Sequence, residues 1–195
     1  MKFFVLLLSV LCTTNVHCQD QLPYSEIPAY PPSYTPGTVA ARVIDGLGFR
    51  YYWATEGLRD EDLNFKPGAE ARSSRETLQH IHTMSYNLVN TTKQIASESS
   101  KINSDLSFKK LRKETLLNFE EASNILKANG DKGLEDFNLV FKGENYEAGY
   151  PFWNLLNGPI ADMLWHVGQV VTFRRSSGNP FNGNMSLLAG REKGK

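Results

Sequence analysis

The chain has 195 residues, with 21 basic and 21 acidic side chains, a formal net charge of zero and 41% apolar residues. This length and composition suit one globular domain with a hydrophobic core. Because the charges balance, the net charge gives no reason to expect nucleic acid or an anionic lipid surface as a partner.

Residues 1–18 are typical of a secretory signal peptide. Lys2 precedes the apolar run FFVLLLSVL, which is too short to span a bilayer, and a polar stretch follows it. Val16 and Cys18 fit the small-residue positions before a cleavage site, which makes Gln19 the first mature residue. We therefore expect an exported protein, periplasmic or secreted, with no membrane span.

The cysteines add a second constraint. Both of them, Cys12 and Cys18, lie in the predicted signal peptide, so the mature protein would have no thiol. Disulfides and cysteine nucleophiles are then excluded. Lipid attachment at Cys18 is the less favoured alternative, because His17 is a poor residue before a lipidated cysteine.

The two ends of the mature chain have little helical pattern. Residues 19–37 are rich in Pro and Tyr, which favours extended polyproline conformations and prevents a helix. We expect a linker or a strap across the domain there; a recognition segment for a partner is the alternative. We expect disorder in both ends, including the C-terminal tail 181–195, which ends GREKGK.

Four helical segments are predicted between them, over 38–58, 73–95, 104–128 and 159–177. Ser73 and Glu76 have the spacing of a capping box, Gly130 is a stop signal for the third segment, and Pro159 suits the first position of the fourth. A turn at 142–145 predicts a short β-hairpin. The sequence therefore predicts an all-α domain over 38–180, a four-helix bundle with a β-hairpin between helices three and four.

The last predicted helix contains the strongest candidates for functional side chains. One face is apolar, and the opposite side bears a second stripe made of Asp162, His166, Gln169 and Phe173, flanked by Trp165. Residues four apart lie on one face, about 6 Å apart along the axis. A polar stripe with aromatic neighbours favours a lined cavity. The alternative is a solvated face on which the Asp and His form an ordinary ion pair.

The second helix carries His80 and His82. They lie about 200° apart around the helix axis, so they cannot both bind one ion. Each lies roughly 100° from the centre of the apolar stripe, so periodicity does not choose between them.

Two segments of the sequence resemble the DinB-like (YfiT-like) superfamily of bacterial metal-binding four-helix proteins. They are GLRDEDLNFKPGAEARSSRETLQHI and LWHVGQVVTFRRSSGNP, and the resemblance covers roughly residues 38–180. The first is similar to the family's entry into helix two, where a histidine follows a Ser-x-x-Glu start, and it selects His80 over His82. The second is similar to the family's H-x-G-Q segment, which places His166 at the last ligand position and Gln169 at the glutamine.

The resemblance implies a metal site made of His80, Asp162 and His166. The family usually has a third histidine where this chain has Asp162. Two imidazoles and one carboxylate still suit zinc, nickel or iron(II). Because Asp is shorter than His, the site could instead be shifted, weaker or degenerate.

The resemblance also implies a function. The family contains metal-dependent hydrolases and metal-assisted thiol S-transferases, and export argues against the thiol branch, which uses cytosolic thiols. We expect a hydrolase with a small-molecule substrate, in which Gln169 orients a ligand or substrate and Tyr52, Trp165 and Phe173 line the pocket. The alternative is a non-catalytic exported bundle that binds a ligand or partner. A homodimer is plausible for a small bundle, although no residue demonstrates one.

Overall fold

The computed structural model describes residues 21–103, 105–129 and 133–194. The predicted signal peptide and the stop signal at Gly130 lie outside these residues. The helices are α1 (Pro36–Thr55), α2 (Asp60–Asn64), α3 (Ser74–Thr92), α4 (Phe108–Ala128), α5 (Phe152–Leu155) and α6 (Ala161–Ser176). A 3₁₀ turn covers Ser99–Lys101, and a wide π-helical turn, Leu156–Ile160, joins α5 to α6. The strands are β1 (Leu139–Lys142), β2 (Glu147–Tyr150), β3 (Met185–Ser186) and β4 (Arg191–Glu192).

The protein is mostly helical, and its four long helices pack in cyclic order. Helix α1 contacts α4, α4 contacts α3, α3 contacts α6, and α6 contacts α1. Leu47, Ile81, Phe119 and Met163, one from each helix, are fully buried between them. Within the described residues, none of the helices combines the length and apolar character needed to cross a membrane.

The predicted capping box determines where α3 begins. The Ser73 hydroxyl accepts a hydrogen bond from the Glu76 backbone N–H at 3.1 Å, and the Glu76 carboxylate accepts one from the Ser73 N–H at 2.7 Å. These bonds satisfy backbone donors that a helix start would otherwise leave without partners. The start of α3 is therefore fixed two turns before His80.

The predicted hairpin is confirmed. Strands β1 and β2 pair antiparallel, with Lys142 opposite Glu147, so residues 143–146 form the connection. The Gly143 N–H closes this turn on the Tyr146 carbonyl at 2.9 Å. The described structure thus contains small strand pairs beside its helices, and β3 and β4 form a second antiparallel pair.

The Pro/Tyr-rich segment lies along α1. The side chain of Tyr24 is buried, and its hydroxyl donates to Asp45 at 3.1 Å. The Trp53 indole N–H donates to the Ser25 carbonyl at 3.0 Å. The Pro/Tyr-rich segment is therefore attached to the helical domain by specific polar contacts.

The expectation of disorder at the two ends is wrong for the residues described there. Strands β3 and β4 make a short hairpin in the C-terminal tail, in which Met185 is buried. The Ile27 N–H donates to the Gly190 carbonyl at 2.8 Å, so a backbone hydrogen bond joins the tail to the Pro/Tyr-rich segment. The composition of each segment did not indicate this pairing, because it is a contact between opposite ends of the chain.

Helix α6 begins later than predicted. Pro159 lies inside the wide turn Leu156–Ile160, whose backbone leaves helical geometry at Gly158, and the regular helix starts at Ala161. Wide turns of this kind occur often beside functional sites. This one ends at Ile160, two residues before Asp162.

Arg174 fixes the other end of α6. Although it lies in the last turn of α6, its side chain is buried and donates to the carbonyls of Trp53, Ala54 and Glu56, at 3.0–3.1 Å. These carbonyls belong to the C-terminal end of α1, where a helix leaves acceptors without partners. Arg174 therefore ties α6 to α1 and helps to set the position of α6.

Candidate metal site

Helices α3 and α6 bring three side chains together. His80 Nε2 lies 3.5 Å from Asp162 Oδ2, and His166 Nε2 lies 3.4 Å from Asp162 Oδ1. The two imidazole rings meet edge to face, with centroids 4.9 Å apart. One donor atom from each residue lies within 4.8 Å of the other two, so this triad of side chains could hold a metal ion.

The spacing of the donors suits a divalent transition metal. Two atoms bound at about 2.0–2.1 Å to a tetrahedral ion lie ~3.3 Å from one another. The two separations to Asp162, 3.5 and 3.4 Å, are close to that value.

The triad lies near the surface. The side chains of His80, Asp162 and His166 are 34%, 41% and 14% exposed. His166 therefore forms the inner part of the site and Asp162 the outer part. An ion held here would have room for water or a substrate on its open side.

Gln169 determines which nitrogen of His166 is available. Its Oε1 lies 2.7 Å from His166 Nδ1, and an amide oxygen can only accept a hydrogen bond. The proton of the neutral ring is therefore on Nδ1, and Nε2 directs a lone pair toward the Asp162 carboxylate. Two acceptors that face one another at 3.4 Å form a favourable arrangement when a cation lies between them.

The pKa of His80 is lowered, chiefly because the ring is partly desolvated, and the positive charge of Arg72 adds to the effect. The Asp162 carboxylate opposes this shift without reversing it. His80 is therefore neutral at pH 7, which is the form that binds metal ions. The influence of Arg72 was not predicted from the sequence; Arg72 lies eight residues before His80, just ahead of the start of α3.

His82 lies outside the triad. It belongs to the opposite side of α3, where its ring contacts Thr115 and Glu114 on α4. The structure thus separates the two histidines that helical periodicity could not distinguish. His80 faces α6, as the resemblance to the DinB-like family implied.

The predicted aromatic residues do not surround the triad. Trp165 is 72% exposed, and Phe173 packs against Phe65 with ring centroids 5.9 Å apart. The guanidinium of Arg112 lies over the Tyr52 ring at 4.6 Å. Trp165 thus faces mainly solvent, and the ring contacts of Phe173 and Tyr52 are with Phe65 and Arg112, not with a residue of the triad.

Comparisons with known proteins found no match to this chain. No family model matches the chain, and no curated protein or solved structure matches it either. The resemblance to the DinB-like family therefore depends on the two sequence segments, and the functional argument depends on the geometry of the triad.

Proposed function

We propose that this protein is an exported, DinB-like four-helix bundle that binds one divalent metal ion through His80, Asp162 and His166 and uses it in hydrolysis. The observation that carries the proposal is the convergence of two imidazole nitrogens on one carboxylate, at 3.5 and 3.4 Å. These groups come from distant parts of the sequence, and two imidazoles with one carboxylate are a donor set for zinc, nickel or iron(II).

The cyclic packing of α1, α4, α3 and α6 supports the bundle architecture. In such bundles, metal sites are built from side chains on facing helices. The triad follows this arrangement, with one ligand from α3 and two from α6. Export is proposed from the pattern of residues 1–18.

Each residue of the site has a distinct role in the proposed chemistry. A divalent ion held here would lower the pKa of a water molecule or polarise an acyl or phosphoryl oxygen. His80 and His166 supply neutral donors, Asp162 supplies the negative charge, and Gln169 fixes the orientation of the His166 ring. The positive charge of Arg72 favours a substrate with an anionic or strongly polarised oxygen.

Metal content tests the site. The protein is purified without added metal, and zinc, nickel and iron are measured by mass spectrometry in the wild type and in His80→Ala and His166→Ala. We expect about one equivalent in the wild type and little in either variant. His82→Gln is the matched control, because it also removes a histidine from α3 and should leave the metal in place. Circular dichroism shows whether each variant is folded.

Turnover tests the hydrolase. Metal-loaded protein is assayed with a panel of esters, amides and phosphoesters, and activity should disappear with chelator, return with the metal and be absent in His166→Ala. Metal binding without turnover would favour a non-catalytic exported bundle. A folded protein that takes up no metal would contradict the metal site. Asp162 would then form only ion pairs or hydrogen bonds with the two histidines, and the site would be degenerate.

A further inference from the structure

A second polar site lies on the opposite side of α3 from the metal triad. A groove of about 310 Å³ runs between α3, α4 and the segment around the 3₁₀ turn. Its lining residues are His82, Tyr86, Lys101, Ile102, Asn103, Glu114, Leu117 and Asn118. His82 is more than nine-tenths buried, and it reaches the groove with one edge of its ring.

The hydrogen bonds of Thr115 determine the state of His82. The Thr115 hydroxyl donates its only proton to the Leu111 carbonyl, at 2.8 Å. In that orientation the hydroxyl accepts from His82 Nδ1, which lies 3.1 Å away. The Nδ1 position carries the proton of the neutral ring, and the lone pair of Nε2 points away from Thr115.

That lone pair faces a second acceptor. Glu114 Oε2 lies 3.7 Å from His82 Nε2, which is beyond hydrogen-bonding distance. The other carboxylate oxygen, Oε1, lies 3.7 Å from the ammonium of Lys110, one turn earlier on α4. The Oε2 atom and the His82 nitrogen thus form a pair of acceptors that one donor group, lying beside them, can reach at the same time.

We propose that this groove binds a small organic amine, whose ammonium group donates to both His82 Nε2 and Glu114 Oε2. An ammonium matches the pair because it carries several donors and a positive charge opposite the carboxylate. Tyr86, Ile102 and Leu117 also line the groove and offer aromatic and apolar surface to the rest of the ligand. Lys101 does not compete for the carboxylate of Glu114, because its ammonium pairs with Glu98 at 2.8 Å.

Nitrogen NMR of histidine-labelled protein tests both parts of the proposal, with benzylammonium as the probe. At neutral pH, His82 should be the Nδ1–H tautomer, and benzylammonium should shift its Nε2 resonance saturably. Benzyl alcohol should bind at least about tenfold more weakly, since it lacks the charge, and benzoate should cause no saturable shift. The same response in His166→Ala shows that the amine is not bound at the metal triad.

Glu114→Gln should weaken benzylammonium binding on the order of tenfold or more, because it removes the charge-assisted hydrogen bond. Glu121→Gln is the matched control, since Glu121 lies two turns further along α4 and pairs with Lys93 at 2.8 Å. The affinity of this variant for benzylammonium should stay within about twofold of the wild-type value. A doubly protonated His82 ring, no saturable shift, or equal binding of benzoate or benzyl alcohol would each overturn the proposal.

Discussion

The side-chain oxygen of Gln169 lies 2.7 Å from Nδ1 of His166. The two residues are three apart on α6, so one turn of helix contains both the proposed ligand and the side chain that orients its ring. A ligating histidine commonly makes such a bond through its second nitrogen, which fixes both the tautomer and the orientation of the ring. The local geometry of α6 thus supports Nε2 of His166 as the donor to a metal ion.

Replacement of Gln169 should weaken metal binding. Gln169→Leu removes the acceptor, and we expect zinc affinity to fall about 10–100-fold, measured by competition with a chromogenic chelator. Gln169→Glu keeps an acceptor and should retain wild-type affinity or exceed it. Equal affinities in all three proteins would mean that Gln169 has no part in the site.

The Asp162→His variant should change which metal is preferred. It supplies the third imidazole that is usual in the DinB-like family, and neutral nitrogen donors favour zinc and nickel over iron(II). We expect the ratio of zinc affinity to iron(II) affinity to rise by about tenfold or more, measured by anaerobic titration. Asp162→Asn, which removes the charge and adds no imidazole, should lower the affinity for both ions. An unchanged ratio in Asp162→His would argue that Asp162 is not a ligand.

Asp62 should make the stability of the fold depend on acidic pH. The bidentate hydrogen bonds from Arg59 hold the pKa of Asp62 well below its ordinary value of 3.8, and bonds from Ser177 and Asn179 lower it further. Arg174 is a further positive charge near this carboxylate. The stabilisation is therefore complete above the unfolded-state pKa and is lost as the pH falls below about 4 toward the folded-state pKa.

Asp62→Asn should lower the free energy of unfolding by roughly 2–3 kcal/mol at pH 7, because it breaks a buried, charge-assisted network. The difference from the wild type should shrink between about pH 4 and pH 2, in urea titrations at a series of pH values. Asp60→Asn, on the same short helix but exposed, is the control and should cost less than about 1 kcal/mol. A difference that stays constant with pH would contradict the assigned role of the Asp62 carboxylate.

Two glycines of α1 should respond oppositely to alanine. A Cβ on Gly48 would lie 2.5 Å from the buried Tyr24 ring, whereas a Cβ on Gly46 would meet only the flexible end of Arg50, at 3.3 Å. We expect Gly48→Ala to destabilise the protein by about 1–3 kcal/mol, because it displaces Tyr24. Gly46→Ala should be neutral or stabilise by up to about 1 kcal/mol, through higher helix propensity. Thermal or urea unfolding measures both, and similar values would show that Tyr24 does not pack on Gly48.

Features of the fold that depend on neighbouring residues were predictable from the sequence. The start of α3 follows from Ser73 and Glu76, whose side chains bond to one another's backbone within a single turn. The β-hairpin follows from a four-residue turn between short strand-forming segments. The short helix α2 and the wide turn before α6 were not predicted, because neither is long enough to show a periodic pattern.

Features that depend on long-range packing were not predictable. Periodicity places His80 and His82 on different sides of α3, but it does not say which side faces α6 and which faces α4. In the sequence, Arg174 looks like an ordinary basic residue at the end of a helix. Its burial is explained only by the position of α1, whose carbonyls it contacts. Trp165 was assigned to a cavity from its proximity to the polar stripe, yet the helix directs it toward solvent.

The most direct test of the metal site is an anomalous difference map, at the zinc absorption edge, from crystals of the zinc-loaded protein. We predict one strong peak about 2.0–2.2 Å from His80 Nε2, His166 Nε2 and a carboxylate oxygen of Asp162. A map without a peak at these three residues, or with zinc bound only elsewhere on the protein, would contradict the metal site and the hydrolase that depends on it.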